Sequence, residues 1–253
     1  MNTLKEKVAL VTGSSRGIGA SIARLFASQG AKVAVHGRDE TALRLVRDGI
    51  EQAGGKAMAV TADVTNFAEI EAMRARVEDE LGPIDILVAN AGGSYTMPGP
   101  IEETSEEGWR SSVDGNLTAT FLTIKSVLPG MKQRKAGNII TISSAAARRP
   151  STRSPVGYAA AKAGLELMTQ VVAMQAGSFN IRANCIAPET ILTERNQERI
   201  PATQQVALLD MHPIKRLGTP EDVAAAALFL ASDGAAWISG TVLDVAGGSV
   251  VVR

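Results

Sequence analysis

The chain has 253 residues, 45% of them apolar and only 4% aromatic, and its 26 Lys and Arg balance 26 Asp and Glu. α/β folds of this length are routinely single domains, and a balanced charge argues against nucleic acid as a partner. One cysteine, Cys185, excludes an internal disulfide, the distant His36 and His212 speak against a metal cluster, and no signal-peptide core or membrane-length window is present, so a cytoplasmic protein without a membrane or metal partner is expected.

In chain order, the segment Val8-Ala9-Leu10-Val11 reads as a short apolar strand, followed directly by Gly13-Ser14-Ser15-Arg16-Gly17-Ile18-Gly19 and by a helical apolar pattern that stops at Gln29-Gly30. A strand, a glycine-rich turn and a helix in that order supply what a dinucleotide needs: close backbone approach and unpaired N–H groups facing a pyrophosphate. Further strands are predicted at 32–35, 57–61, 84–89, 138–143, 182–186 and 241–245. Helices are predicted at 17–29, 40–53, 66–81, 105–132, 158–179 and 220–231. Alternating strands and helices require crossovers, and so a seven-stranded parallel sheet flanked by helices in a single-domain, doubly wound α/β (Rossmann) fold. Ligand is expected along the carboxyl ends of its strands. No linker, charge run or internal repeat divides residues 1–253.

On the helix predicted at 158–179, Tyr158 and Lys162 stand four apart and share one face. A phenol titrates near about 10, and an adjacent ammonium is expected to lower that value towards usefulness as a proton shuttle.

These features, T-G-x-x-x-G-x-G from Thr12 to Gly19 and Tyr-x-x-x-Lys, resemble the compact short-chain dehydrogenase/reductase family. Asp63-Val64, Asn90-Ala91-Gly92, Asn116, Ser143-Ser144 and the late Arg216-Leu217-Gly218-Thr219-Pro220-Glu221-Asp222-Val223 extend the resemblance over essentially the whole chain. It implies a hydride-transferring oxidoreductase acting on a small-molecule carbonyl or secondary alcohol. Within it, Tyr158 would exchange a proton with the substrate oxygen and Ser144 would hydrogen-bond the same oxygen. Lys162 would hold the nicotinamide ribose, and Asn116 would position a water behind Lys162. Ser144 is preferred to Ser143 because neighbouring strand side chains face opposite ways, although its separation from Tyr158 is one residue longer than usual.

The resemblance further implies that Gly13, Gly17 and Gly19 face the pyrophosphate with Ser15 and Ile18 beside them. Asp63 would accept from the adenine amino group, Val64 would lie beside the ring, and Asn90, Ala91 and Gly92 would underlie the adenosine ribose. Thr12 and Asn90 equally suit a role in holding adjacent strands. Pro188 and Thr193 would close over nicotinamide. At the end of the second strand an NAD site usually carries an acid, whereas this chain has Gly37-Arg38. Arg38, with Arg16 as a second cation or adenine-stacking group, therefore favours NADP(H) over NAD(H), although Asp39 adjoins them.

Glu189 replaces the usual glycine after Pro188; it would either bring a carboxylate near nicotinamide or, the favoured outcome, point to solvent. Ala246 replaces the usual acid before Gly247-Gly248. Residues 189–213 would form a substrate lid whose Leu192, Ile200, Val206, Leu208, Leu209 and Met211 line either an apolar pocket or the helix core. Arg148, Arg149 and Arg153 are expected to border the pocket and suggest an anionic substrate group.

The overall pattern is most similar to 3-oxoacyl-thioester reductases; Lys132, Arg134 and Lys135 would suit an acidic carrier, but 178–180 lacks the second basic patch. An inactive nucleotide-binding regulator, an epimerase and an enoyl reductase are the alternatives. Enoyl reductases usually separate Tyr and Lys more widely. A homotetramer is implied, with the two long helices and the terminal 247–253 as contacts.

Overall fold

The structure, a computed structural model, describes residues 3–250; Met1, Asn2 and the terminal Val251, Val252 and Arg253 assigned above to an oligomer contact lie outside them. Seven strands form one parallel sheet: β1 (Val8–Val11), β2 (Lys32–Gly37), β3 (Lys56–Thr61), β4 (Ile86–Ala89), β5 (Gly137–Ile142), β6 (Ile181–Pro188) and β7 (Val242–Val245). Their order is β3-β2-β1-β4-β5-β6-β7. The order reverses between β1 and β4, where a crevice opens at the strand ends.

The crossovers are α1 (Gly17–Ser28), α2 (Glu40–Gln52), α3 (Phe67–Leu81), α4 (Glu106–Val113), α5 (Ala119–Arg134), α6 (Ala145–Arg148) and α7 (Val156–Ala176). Beyond β6 come α8 (Glu194–Arg199), α9 (Ala202–Met211) and α10 (Pro220–Ala231). Strand side chains alternate between two cores. Ala9, Val11, Val33 and Val35 pack with Ile22, Phe26, Leu43 and Leu230 under α1, α2 and α10. Leu10, Ala34 and Leu87 pack with Ile70, Met73, Val127 and Met131 under α3, α5 and α7. Small and branched residues fill both layers, as a sheet covered on both faces requires.

Strand positions agree with the sequence pattern to within two residues at most ends. The predicted helix at 105–132 does not run unbroken: a π-helical turn, Asp114–Thr118, separates α4 from α5. Such a turn holds one extra residue and is favoured where the interruption is otherwise compensated. Here the compensation comes from Asn116, which is fully buried. Its Nδ2 donates to Ser112 O (2.8 Å) and Gly93 O (2.9 Å), and its Oδ1 accepts from Gly93 N (3.0 Å).

Candidate active site

The ends of β1 and β4 are stitched together first. Thr12 Oγ1 accepts from Asn90 N and Ala91 N, both at 3.1 Å, while Asn90 Nδ2 donates to Thr12 O and Gly13 O at 2.9 Å. Both side chains thus hold strands together, the second of their two expected roles. Gly13 has φ +65°, and a Cβ there would stand 2.8 Å from Ala91 Cα, so the turn excludes other residues. His36 adds a support that sequence alone did not single out. Its Nδ1 accepts from Gly13 N at 3.3 Å and its Nε2 faces Ala62 O at 3.0 Å, which fits a neutral ring protonated at Nε2. Burial lowers its pKa, with the Ala62 bond opposing.

Arg16 is the N-cap of α1 but makes no side-chain cap bond, and no acid lies in the first turn. The N–H groups of that turn are therefore open to an anion. Gly17, at φ +55°, keeps the loop bare on its cleft side; a Cβ would reach within 3.1 Å of Thr193 Cγ2. This cradle fits a dinucleotide pyrophosphate. At the end of β2, Asp39 Oδ1 accepts from Ala42 N (3.0 Å) and its Oδ2 meets Arg16 Nη2 (2.8 Å). Both carboxylate oxygens are therefore engaged, while exposed Arg38 has no ion pair among the described residues. Asp63 Oδ1 accepts from Thr65 N and Oγ1, and these bonds hold its carboxyl below the usual range.

One cleft of about 1730 Å3 runs over these strand ends, large enough for a dinucleotide and a second molecule. Every residue assigned above to nucleotide or catalysis lines it except Asn116, which lies beneath, bound to the loop after β4. Asn116 makes no hydrogen bond to Lys162 among the described contacts; its own carbonyl accepts from Thr120 Oγ1 at 2.8 Å.

The two serines diverge. Ser143 is buried, with its Oγ 2.9 Å from Glu166 Oε1 and 3.2 Å from Lys162 O. Ser144 lines the cleft with Tyr158 and caps α6 by accepting from Ala146 N (3.2 Å).

Lys162 departs from the expected relation with Tyr158. Its Nζ donates to Ile142 O at 2.7 Å and lies 5.7 Å from the centre of the Tyr158 ring. Burial pulls the Lys162 pKa down to about 8. Burial also raises the Tyr158 pKa, opposed by the Ser144 hydrogen bond and the Arg195 charge rather than by Lys162. The expected lowering of the phenol by its ammonium neighbour is thus corrected: desolvation dominates, and the ammonium is turned to the end of β5.

Two further expectations change. Glu189 does not face solvent: its Oε2 lies 2.8 Å from Nε2 of the buried His212 and also accepts from Thr190 N. None of Arg148, Arg149 and Arg153 lines the cleft. Arg148 is engaged with Glu166 and Asp244, and Arg149 donates to Ser249 O at 3.0 Å. Arg195 of α8 and Tyr95, missed in the sequence, do line it. Tyr95 rests on bare Gly115 of the π turn, and a Cβ there would strike its ring. Neither lies in a motif: the loop after β4 brings Tyr95 to the site, and α8, beyond β6, brings Arg195.

The family profile described as "Enoyl-(Acyl carrier protein) reductase" matches residues 13–249. 7alpha-Hydroxysteroid dehydrogenase of Escherichia coli K12 is 38% identical over 98% of this chain and 95% of its own. 3-Oxoacyl-(acyl-carrier-protein) reductase FabG of Vibrio cholerae is 39% identical over 98% and 99%. The chain belongs to the short-chain dehydrogenase/reductase family. A solved 7alpha-hydroxysteroid dehydrogenase, complexed with NADH and 7-oxo glycochenodeoxycholic acid, superposes with a TM-score of 0.93 at 38% identity, covering 98% of this chain and 96% of that one. A 3-oxoacyl-(acyl-carrier protein) reductase from Brucella melitensis with bound NAD gives 0.89 at 32%, covering 98% and 92%. The parallel sheet and its flanking helices are those of the family, and the chain is an oxidoreductase acting on CH–OH and C=O groups.

Proposed function

We propose that this enzyme is an NADP(H)-preferring ketoreductase working in the cytoplasm as a single-domain protomer of a homotetramer. The observation that carries the catalytic part is the convergence of Ser144, Tyr158 and Lys162 at one end of the cleft whose other end is the glycine cradle. Bound nicotinamide supplies or accepts hydride at the substrate carbon. Tyr158 gives its proton to the carbonyl oxygen on reduction and takes one from the alcohol on oxidation. Ser144 holds that oxygen against the phenol, and its bond to Tyr158 stabilises the phenolate left behind. Lys162, poised near neutrality, offers N–H donors to the ribose hydroxyls and restores the phenol's proton. Asn116 fixes Gly93 and the loop after β4 and positions a water behind Lys162 for proton relay.

Gly13, Ser15, Gly17, Ile18 and Gly19 hold the pyrophosphate, Asp63 and Val64 the adenine, and Asn90, Ala91 and Gly92 the adjoining ribose. Pro188 and Thr193, with residues 189–213 as lid, cover the nicotinamide end. Preference for NADP(H) rests on the end of β2: Asp39 is turned to cap α2 and its charge is offset by Arg16, whereas Arg38 is available to a 2′-phosphate. The two solved relatives hold NADH and NAD, so support for this preference comes from this chain's own residues alone. Reduction of a β-ketoacyl thioester is the second reading, favoured by similarity to the 3-oxoacyl reductases.

The test is a screen of NADPH consumption over β-ketoesters, 3-oxoacyl thioesters, cyclic ketones, sugars and quinones, with Tyr158→Phe as the control. Turnover that survives in Tyr158→Phe would remove the catalytic assignment. Loss of one charged hydrogen-bond partner is worth about 1.5–3 kcal/mol, so Arg38→Ala should lower the NADPH over NADH preference by roughly 10- to 150-fold. Tighter binding of NADH than NADPH by the parent protein would overturn the cofactor assignment.

A further inference from the structure

Behind the cleft lies a cluster of charge that the proposed chemistry does not use. Glu166 sits on α7, one helical turn beyond Lys162 and two beyond Tyr158, and is nearly buried. Its Oε1 accepts from Ser143 Oγ at 2.9 Å and its Oε2 from Arg148 Nη1 at 3.1 Å. Ser143 precedes Ser144, and Arg148 ends α6, the short helix that Ser144 caps. One carboxylate therefore ties down both flanks of Ser144 to the helix that carries Tyr158 and Lys162. Arg148 continues to β7, where Nε lies 3.2 Å from Asp244 Oδ1 and Nη2 3.4 Å from Oδ2.

Two carboxylates and one guanidinium, all largely shielded from water, form a poor stabilising device, because desolvation offsets much of their attraction. Burial indeed raises the Glu166 pKa, with the Ser143 and Arg148 bonds opposing. Such networks are better suited to fixing register. The α6 helix has only four residues; besides these charged ties, Ala145 packs against Ala246 and Val250, and Arg149 just beyond the helix donates to Ser249 O.

We propose that Glu166 is a positioning residue which, through Ser143 and Arg148, sets the place of Ser144 relative to Tyr158. The inference rests on the ketoreductase reading and goes beyond it by adding Glu166 and Arg148, neither of which lines the cleft. Glu166→Ala frees both flanks of Ser144, whereas Glu166→Gln keeps an amide oxygen for one of them. Arg148→Lys keeps a cation at the second tie, and Arg148→Ala removes it.

The experiment measures kcat, nicotinamide KM and melting temperature for these four variants. It also follows phenolate absorbance against pH in a Tyr95→Phe background, in which Tyr158 is the sole remaining tyrosine of the two in the chain. A catalytic group misplaced by about 1 Å loses on the order of 100-fold, so Glu166→Ala is expected to lower kcat by about 10- to 100-fold with KM for nicotinamide changed less than about twofold. Glu166→Gln and Arg148→Lys should each retain more kcat than the matching alanine variant. Tyr158 should titrate at higher pH in Glu166→Ala, because a displaced Ser144 hydroxyl no longer offsets the burial that raises the phenol's pKa. A folded Glu166→Ala protein with parental kcat and an unmoved phenol titration overturns the proposal, as do conservative variants no better than alanine. If Glu166→Ala does not fold, Glu166→Gln and the Arg148 pair decide by the same criteria. The phenol titration needs no turnover, so an inactive parent would refute the ketoreductase reading while leaving the positioning role separately decidable.

Discussion

Lys162 illustrates how a residue's environment, rather than its neighbour in sequence, sets its chemistry. Its pKa falls from the ordinary 10.5 to about 8 because the ammonium is enclosed between α7 and the end of β5. The unfolded chain therefore binds more protons than the folded one between about pH 8 and 10.5, and this residue's contribution to stability rises with pH across that window. Below pH 8 its buried charge opposes folding. We expect Lys162→Met to abolish turnover yet narrow its melting-temperature difference from the parent as pH rises from 8 to 10.5, the variant being relatively most favoured below pH 8. A difference that stays constant over this range would show that the ammonium is not desolvated. The spacing of Tyr158 and Lys162 was legible in the sequence because a helix fixes it; the direction of Nζ was not, since Ile142 O is brought there by a strand twenty residues away.

At the scale of elements, strand and helix periodicity located all seven strands and the six principal helices, but the interruption of 105–132 was invisible. A π turn needs no special composition; it is selected when a tertiary partner, here the backbone of Gly93, rewards turning Asn116 inward. The same reasoning explains Ser143 and Ser144. Strand alternation separates them, and Glu166 then captures the inward one, an acid on a helix face that periodicity alone would mark as buried and unexplained. Removing the Asn116 amide would leave the Gly93 N–H and C=O without these partners, so Asn116→Ala should cost about 1–3 kcal/mol in stability. The urea midpoint measures this, with the denaturant slope unchanged if the fold is otherwise intact. A midpoint equal to that of the parent would show that the π turn is held by other contacts.

For the whole molecule, some of the exposed apolar residues fall into sets on the long helices and near the C-terminal end. Leu167, Val171 and Met174 are 64%, 42% and 86% exposed and recur at helical spacing along α7, with Phe121 exposed on α5. Trp237, 99% exposed, and Phe229 of α10 lie in a separate part of the chain. Two such apolar sets suit the two contacts of a homotetramer, since a stripe of this kind is more stable when covered. Leu167→Asp combined with Met174→Lys is expected to reduce the mass by light scattering at micromolar concentration to that of a dimer or a monomer, with Trp237 left in place. A parent protein that is already monomeric would remove the inference. The homotetramer proposed above was implied in the sequence through family resemblance and the long helices; the exposed apolar residues suggest which faces to test.

The sheet order also has a kinetic side. Every strand pairing must await an intervening crossover, and the cradle is completed only when Gly13 meets Asn90, 77 residues away. Long-range pairings of this kind form slowly because chain closure precedes the reward. A nucleotide bridging that seam would bind only chains in which it has closed, and by mass action would favour the native state. A coenzyme held across that seam would then stabilise the fold that binds it.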